Sequence, residues 1–354
     1  MQNKIYVSPS GGNPECFKSV SDALYSIPED NQNQVTIYIA PGIYHEKITI
    51  DRSFVTLEGT GRSNEDVVLT YDDYANIVME DGMKMGTFRS YSVFIDAHDV
   101  TLKNLTIENA SGDSVTHGQA ISLYADGDRL IVDSCRLLGH QDTLFTGPLP
   151  PKEIQKNGFI GPKQYAPRIN GRHYYKNCYI CGDVDFIFGG ATAYFENCTI
   201  ESLRRFEDET EEPADGTAKG NEIKPETQPR IQGYVTAAST PEGQAYGYVF
   251  SKCRLISKDC LTGTVYLGRP WREYAKTVFV ECSFGKHINP ELFHDWNKEI
   301  ARNTVLYAIG ECAYASESAS SFPQKADFVR ELVGDQAAAF TKERVLGEGD
   351  GWCP

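Results

Sequence analysis

Residues 174–200, YYKNCYICGDVDFIFGGATAYFENCTI, begin and end on nearly the same phrase. "YKNCYI" and "FENCTI" place their cysteines at 178 and 198, a gap of 20. The phrase returns as "VDSCRL", "FSKCRL" and "VECSF", with a gap of 43 from Cys135 to Cys178 and 29 from Cys253 to Cys282. A short β-rich phrase repeating every roughly 20 to 25 residues, with some units enlarged by loops, marks a solenoid. The units lack helical halves, which selects a parallel β-helix over a leucine-rich repeat. A β-sandwich would not repeat one motif at one period. The expected fold is therefore all-β: a single-stranded parallel β-helix forming one domain over residues 1–354.

The ends differ from the middle. "CFKSVSDALYSIP" has helical apolar spacing at Phe17, Val20, Ala23 and Leu24, closed by Pro28, and predicts an N-terminal capping helix. "KADFVRELVGDQAAAFTKERVLG", from residue 325, predicts a short helical C-terminal tail. Two stretches interrupt the repeat. Residues 148–170 are rich in Pro and Gly, and residues 202–230 are charged and mostly acidic; both are expected to be loops outside the solenoid.

The formal net charge of -15, from 49 acids against 34 bases, disfavours nucleic acid and anionic membranes as partners. No apolar run reaches the ~18 residues of a membrane span. Most of the ten cysteines recur in one local setting, a cysteine followed two residues later by a large apolar residue, and these read as buried, reduced thiols. Cys178 and Cys181 form the sole C-x-x-C, whose spacing on a strand would make a poor zinc clamp. No metal or cofactor is expected. The N-terminus lacks an apolar signal core, so a cytoplasmic protein is expected, or a secreted one if a leader has been removed.

Candidate chemistry begins inside the quoted stretch, where Asp185 precedes Phe186, Ile187 and Phe188. A carboxylate embedded in such a run requires a reason. Residues one coil apart in a β-helix stack about 4.8 Å from each other. Gln119 in "HGQAISL" and Gln141 in "GHQDTLF" are 22 positions apart, and Asp142 and Asp185 are 43 apart, or 20 once the 148–170 loop is removed. Two glutamines and two aspartates thus fall on one face over three successive coils. "YLGRPWREY" adds Arg269, the partner a carboxylate among phenylalanines needs to stay ionised.

These motifs resemble the pectin methylesterases, aspartyl esterases built on a right-handed parallel β-helix. The likeness runs from "FKSVSDALYSIP" and "IYIAPGIYHEKITI" through "GQAISL", "GHQDTLF", "GDVDFIFG" and "YLGRPW" to "LGEGDGWCP". The chain departs from the pattern in its two long loops, in Gly190 and in Phe145. The resemblance implies Asp185 as nucleophile, Asp142 as general acid then base, Gln119 and Gln141 as oxyanion donors, and Arg269 as the nucleophile's partner. It implies that Tyr124, Phe145, Val184, Phe188 and Trp271 contact substrate, a methylated galacturonan polymer or its oligomers. A monomer is expected. The acidic chain is expected to repel de-esterified product. Rival readings are a β-helix esterase for another acyl substrate, a polygalacturonase or lyase, and a non-catalytic carbohydrate-binding solenoid. No G-x-S-x-G or H-E-x-x-H supports serine or zinc chemistry.

Overall fold

The computed structural model describes residues 3–10, 16–207, 229–315, 322–347 and 349–354. Its strands form three all-parallel sheets of 11, 9 and 7 strands, here sheets A, B and C. Each complete coil contributes a strand to A, then B, then C, the terminal coils lacking some of them, and the next coil pairs with it in register, as Arg172–Lys176 does with Thr192–Glu196. This is a right-handed parallel β-helix, the hand that parallel crossovers favour.

The repeating cysteine marks a corner. Between the sheet A strand Arg172–Lys176 and the sheet B strand Tyr179–Gly182 lie Asn177, with φ 53°, and Cys178. Asn197, Lys252, Glu281 and Glu311 hold the same left-handed conformation before Cys198, Cys253, Cys282 and Cys312. A small side chain is therefore turned into the core just where the chain bends. Its thiol donates to a carbonyl of the preceding coil: Cys178 to Val132 at 3.2 Å, Cys198 to Tyr175 at 3.5 Å and Cys253 to Phe195 at 3.4 Å. The sequence pattern thus reports a turn position, not the face of a strand. All ten cysteines are free, with Cys16 half-buried and Cys353 exposed.

Inside the tube, in-register side chains stack. Tyr175, Phe195, Phe250 and Phe279 form a column with ring centroids 4.6, 4.4 and 4.5 Å apart and interplanar angles of 9–10°. The capping helix is shorter than its apolar spacing predicts, Val20–Tyr25. Ser19 Oγ accepts from the Asp22 N–H, and Val20, Ala23 and Leu24 are buried against the first coils. The C-terminal stretch is not continuously helical. Val329–Leu332 adds the last strand to sheet A, because Val329 pairs with Tyr307 and closes the core. Gly334, at φ 56°, then breaks the chain into a 3-10 turn and the helix Lys342–Leu346. That helix buries Val345 and Leu346 on the outer face of sheet A beside Tyr174 and Tyr194.

The aromatic column carries much of the burial in the central coils. Phe250→Ala should lower stability by about 3–5 kcal/mol, the range for truncating a buried aromatic. The check is a denaturant melt; a loss below ~1 kcal/mol would show that the column is not a main support.

Candidate active site

Sheet C carries the site. Its outward face presents Tyr124, Phe145 and Phe188, paired along the register between Leu123–Ala125, Leu144–Thr146 and Val184–Gly189. At the N-terminal edge of these strands the backbone leaves the regular pattern. Asp142 has φ 68° and Asp185 φ 52°, left-handed values that aspartate tolerates better than most residues. The register between Val184–Gly189 and Gly233–Ala238 also shifts between Val184 and Ile187. This bulge explains the odd order of the quoted stretch. Phe186 and Ile187 both enter the core, Phe188 faces out, and Asp185 is turned toward a cavity. Bulges beside active sites commonly re-aim one side chain in this way.

The cavity measures about 450 Å³ and is lined by Gln119, Gln141, Asp142, Asp185 and Arg269 together. All five polar residues expected at one place are there. Arg269 forks onto Asp185, Nε to one oxygen at 2.8 Å and Nη2 to the other at 2.7 Å. The guanidinium lies between the rings of Tyr234 and Trp296, 3.9 and 3.7 Å from their centroids. Asp142 is tied to the strand that carries Asp185 by its own N–H, which donates to the Val184 carbonyl at 3.1 Å.

Burial raises the proton affinity of both carboxyls. For Asp142 the Asp185 charge adds to burial, so its pKa lies well above the usual range. For Asp185 burial is opposed by Arg269, and the net direction is still upward. Desolvation in the aromatic wall outweighs the fork, although Arg269 pulls the pKa of Asp185 down as a partner cation must. The pair is nonetheless asymmetric, with one carboxyl held by a guanidinium and the other by none.

The aromatic expectations divide. Phe188 and Trp271 line the cavity. Tyr124 and Phe145 do not: both are fully buried, because Phe88, Leu149 and Phe159 from flanking loops close over them. Val184 is buried too and contributes backbone, not a cavity surface. The 148–170 stretch is thus seated on the site face, where Ile154, Gln155 and Phe159 form part of the wall. Of the 202–230 stretch, residues 208–228 lie outside the described residues.

Sequence reasoning missed several participants. Asp183, 1% exposed, accepts from Ser114 Oγ at 2.7 Å and from the Val184 N–H at 2.6 Å, with His140 Nδ1 3.4 Å away. One buried carboxylate therefore joins the segments that carry Gln119, Gln141 and Asp185. Ser114 is 69 positions from Asp183 and shares no motif with it, so no local signal could have announced the contact. Trp296, Arg272 and Lys298 also line the cavity. Among the described residues no cluster of ligands suits a metal ion, and no helix is long and apolar enough to cross a membrane.

Fold and cavity together define a β-helical carboxylic ester hydrolase. The Pectinesterase family model matches residues 5–148 and 165–350, and the chain belongs to the pectinesterase family. Pectinesterase 31 of Arabidopsis thaliana is 30% identical over 95% of this chain and 90% of its own. Among solved structures, the pectin methylesterase PemA from Erwinia chrysanthemi is 27% identical with a TM-score of 0.73, covering 100% of this chain and 99% of its own. A pectin methylesterase solved in complex with a hexasaccharide matches equally well, at 27% identity and TM-score 0.73, over the same shares of both chains. Residues 149–164 lie between the two matched stretches.

The raised pKa of Asp142 has a sign that can be checked. A carboxyl whose folded pKa lies above its unfolded value costs no stability at low pH. It becomes increasingly destabilising as pH rises from about 4 through the folded pKa. Asp142→Asn should therefore melt several degrees higher than the parent at pH 8 and nearly level with it at pH 3.5. A gap independent of pH would contradict the burial argument.

Proposed function

We propose that this protein removes methyl esters from galacturonan, releasing methanol, with Asp185 as nucleophile and Asp142 as general acid and then base. The observation that carries the reading is the asymmetry of two adjacent buried carboxyls, one forked by Arg269 and the other with no cation bound to it and its pKa pushed well up by burial and the Asp185 charge. A carboxylate is a weak nucleophile, so it must be oriented and kept ionised at the ester carbon. The fork orients the carboxylate and opposes its protonation at the wall of the cavity that Asp185 lines.

The steps balance without a further reactant. An oxygen of Asp185 bonds to the ester carbon, and the carbonyl electrons move onto oxygen, where the amides of Gln119 and Gln141 donate to it. Collapse expels the methoxy group, which takes the proton of Asp142 and leaves as methanol. The enzyme then holds an acyl anhydride at Asp185 and a carboxylate at Asp142. That carboxylate removes a proton from water as the water oxygen attacks the anhydride. The product leaves Asp185 as a carboxylic acid, which gives its proton to solvent, while Asp185 is again a carboxylate and Asp142 is again protonated. Neutral amides suit a polyuronate, since added fixed charge at the oxyanion would hold ground-state carboxylates too tightly.

The substrate class is supported by the lining. Phe188 and Trp271 offer flat apolar surfaces to sugar rings, and Arg269, Arg272 and Lys298 make the cavity locally cationic in a chain of net charge -15. Local and global fields thus oppose each other, and the local one governs the bound state. The hexasaccharide bound to the solved relative accords with an oligosaccharide ligand.

Methanol release from methylated galacturonan, without new reducing ends or unsaturated product, is the direct assay. Asp185→Asn should lower turnover by roughly a thousandfold or more while substrate still binds. Asp142→Asn should be nearly as severe with methyl esters and partly relieved with esters of more acidic alcohols, which leave unaided. Near-native turnover in Asp185→Asn would overturn the mechanism.

A further inference from the structure

Asp183 stands two residues before Asp185, yet it does not line the cavity. It is 1% exposed, and both of its carboxylate oxygens are in use. Oδ2 accepts from Ser114 Oγ at 2.7 Å and Oδ1 from the Val184 N–H at 2.6 Å, while His140 Nδ1 lies 3.4 Å from Oδ2. Among the described residues no lysine or arginine pairs with it. Carboxylates are seldom buried so deeply unless paired, and hydrogen bonds must then replace their water. The three side chains do not form a serine-hydrolase relay. Ser114, itself 2% exposed, gives its hydroxyl proton to the carboxylate and not to the imidazole.

Each partner belongs to a segment that leads into a different side chain of the site. Ser114 opens the short helix Ser114–His117, which Gly118, at φ 76°, turns directly into Gln119. His140 immediately precedes Gln141 and Asp142, and its carbonyl accepts the Asp183 N–H at 3.1 Å. Val184 leads into Asp185. The Gln119 and Gln141 segments are tied to the coils through their backbones, the Gln119 carbonyl accepting from the Ala75 N–H at 2.8 Å and the Gln141 carbonyl from the Ala120 N–H at 3.0 Å. Where the two amides point therefore depends on where these backbones are held. Sheet hydrogen bonds join each coil only to the next. The Ser114 contact is different: it runs from the segment before Leu123–Ala125 to the one before Val184–Gly189, with the coil of Leu144–Thr146 between them. It fixes the spacing of two coils independently of the sheet.

We propose that Asp183 is a positioning residue for ester cleavage: by bracing Ser114 across two coils, with His140 beside it, it sets the Gln119 and Gln141 amides at the spacing where both reach the oxyanion as Asp185 attacks. The inference rests on the esterase reading and adds to it a group that touches neither substrate nor reacting atoms. Oxyanion donors act only if they are already in place, and a misplacement of about 1 Å costs on the order of a hundredfold in rate. The Asp183 charge also adds to the upward shift of Asp142, behind burial and the Asp185 charge. Loss of Asp183 has thus two routes to lower activity, and they are separable. A brace acts on every ester alike, because the oxyanion forms whatever the leaving group. A field acting through the Asp142 proton matters less when the leaving group needs no acid.

The test measures kcat and KM for methyl and activated-alcohol esters of galacturonan oligomers, with folding followed by circular dichroism. Ser114→Ala leaves Asp183 and the cavity lining in place, and should lower kcat roughly tenfold while KM stays within about twofold of the parent. Asp183→Ala should lower kcat roughly a hundredfold, equally for both esters. Asp183→Asn should recover most of that loss, since its oxygen still accepts from the Val184 N–H and its amide donates to Ser114 Oγ. Should Asp183→Ala fail to fold, Ser114→Ala and Asp183→Asn decide the matter. Parental kcat in folded Ser114→Ala overturns the inference and leaves the esterase reading standing. So does a loss in Asp183→Asn as large as in Asp183→Ala, or a loss relieved by the activated ester, because either assigns the effect to charge. If the parent releases no alcohol from either ester, the esterase reading falls and the inference falls with it.

Discussion

A carboxylate set among phenylalanines stays ionised only if something repays its lost hydration, and here that is the two-pronged contact from Arg269. The contact dictates much around it. Arg269 must approach from the end of the strand Val265–Gly268, two coils beyond Asp185 in sheet C, so the register of three strands has to be kept. Tyr234 and Trp296 clamp the guanidinium on both faces, which fixes its plane and removes it from water without an opposing charge other than Asp185. Breaking the fork would leave a buried carboxylate unpaired, a loss of about 3–5 kcal/mol in fully buried cases.

The same constraint places the second carboxyl. Because coils repeat in register, Asp142 arrives one coil from Asp185 with no element devoted to bringing it there. Its proton then follows from electrostatics: burial disfavours charge, and a neighbouring anion disfavours it further. Buried Asp183 acts on the frame, fastening Ser114 and the Val184 amide at the edge of the site. The β-helix thus converts sequence repetition into spatial adjacency of groups that would otherwise repel.

Much of this was legible in the sequence because a solenoid maps linear period onto contact. The phrases around Cys178 and Cys198 set the coil length, and subtracting one loop brought Asp142 beside Asp185. The period could not say that the cysteines occupy corners, since a corner residue and a strand residue repeat at the same interval. Nor could it tell floor from surface. Tyr124 and Phe145 alternate as outward residues, and only the loops bearing Phe88 and Phe159 decide that they are covered. Lys298 lay hidden as a single lysine in "DWNKEI", whose meaning depends on the carbonyls of Pro270 and Trp271. Loop-borne contacts have no period, and they are what the sequence reading lacked.

The central claim is that at neutral pH one proton resides on Asp142 beside an ionised Asp185. Carbon-13 NMR of protein labelled at the aspartate side-chain carboxyls, titrated from acid to alkaline pH, observes it without substrate. The account predicts one aspartate carboxyl that stays protonated well above the ordinary carboxylate range and vanishes from the spectrum of Asp142→Asn. Full ionisation of every aspartate at neutral pH, or a high-titrating signal that persists in Asp142→Asn, would contradict it.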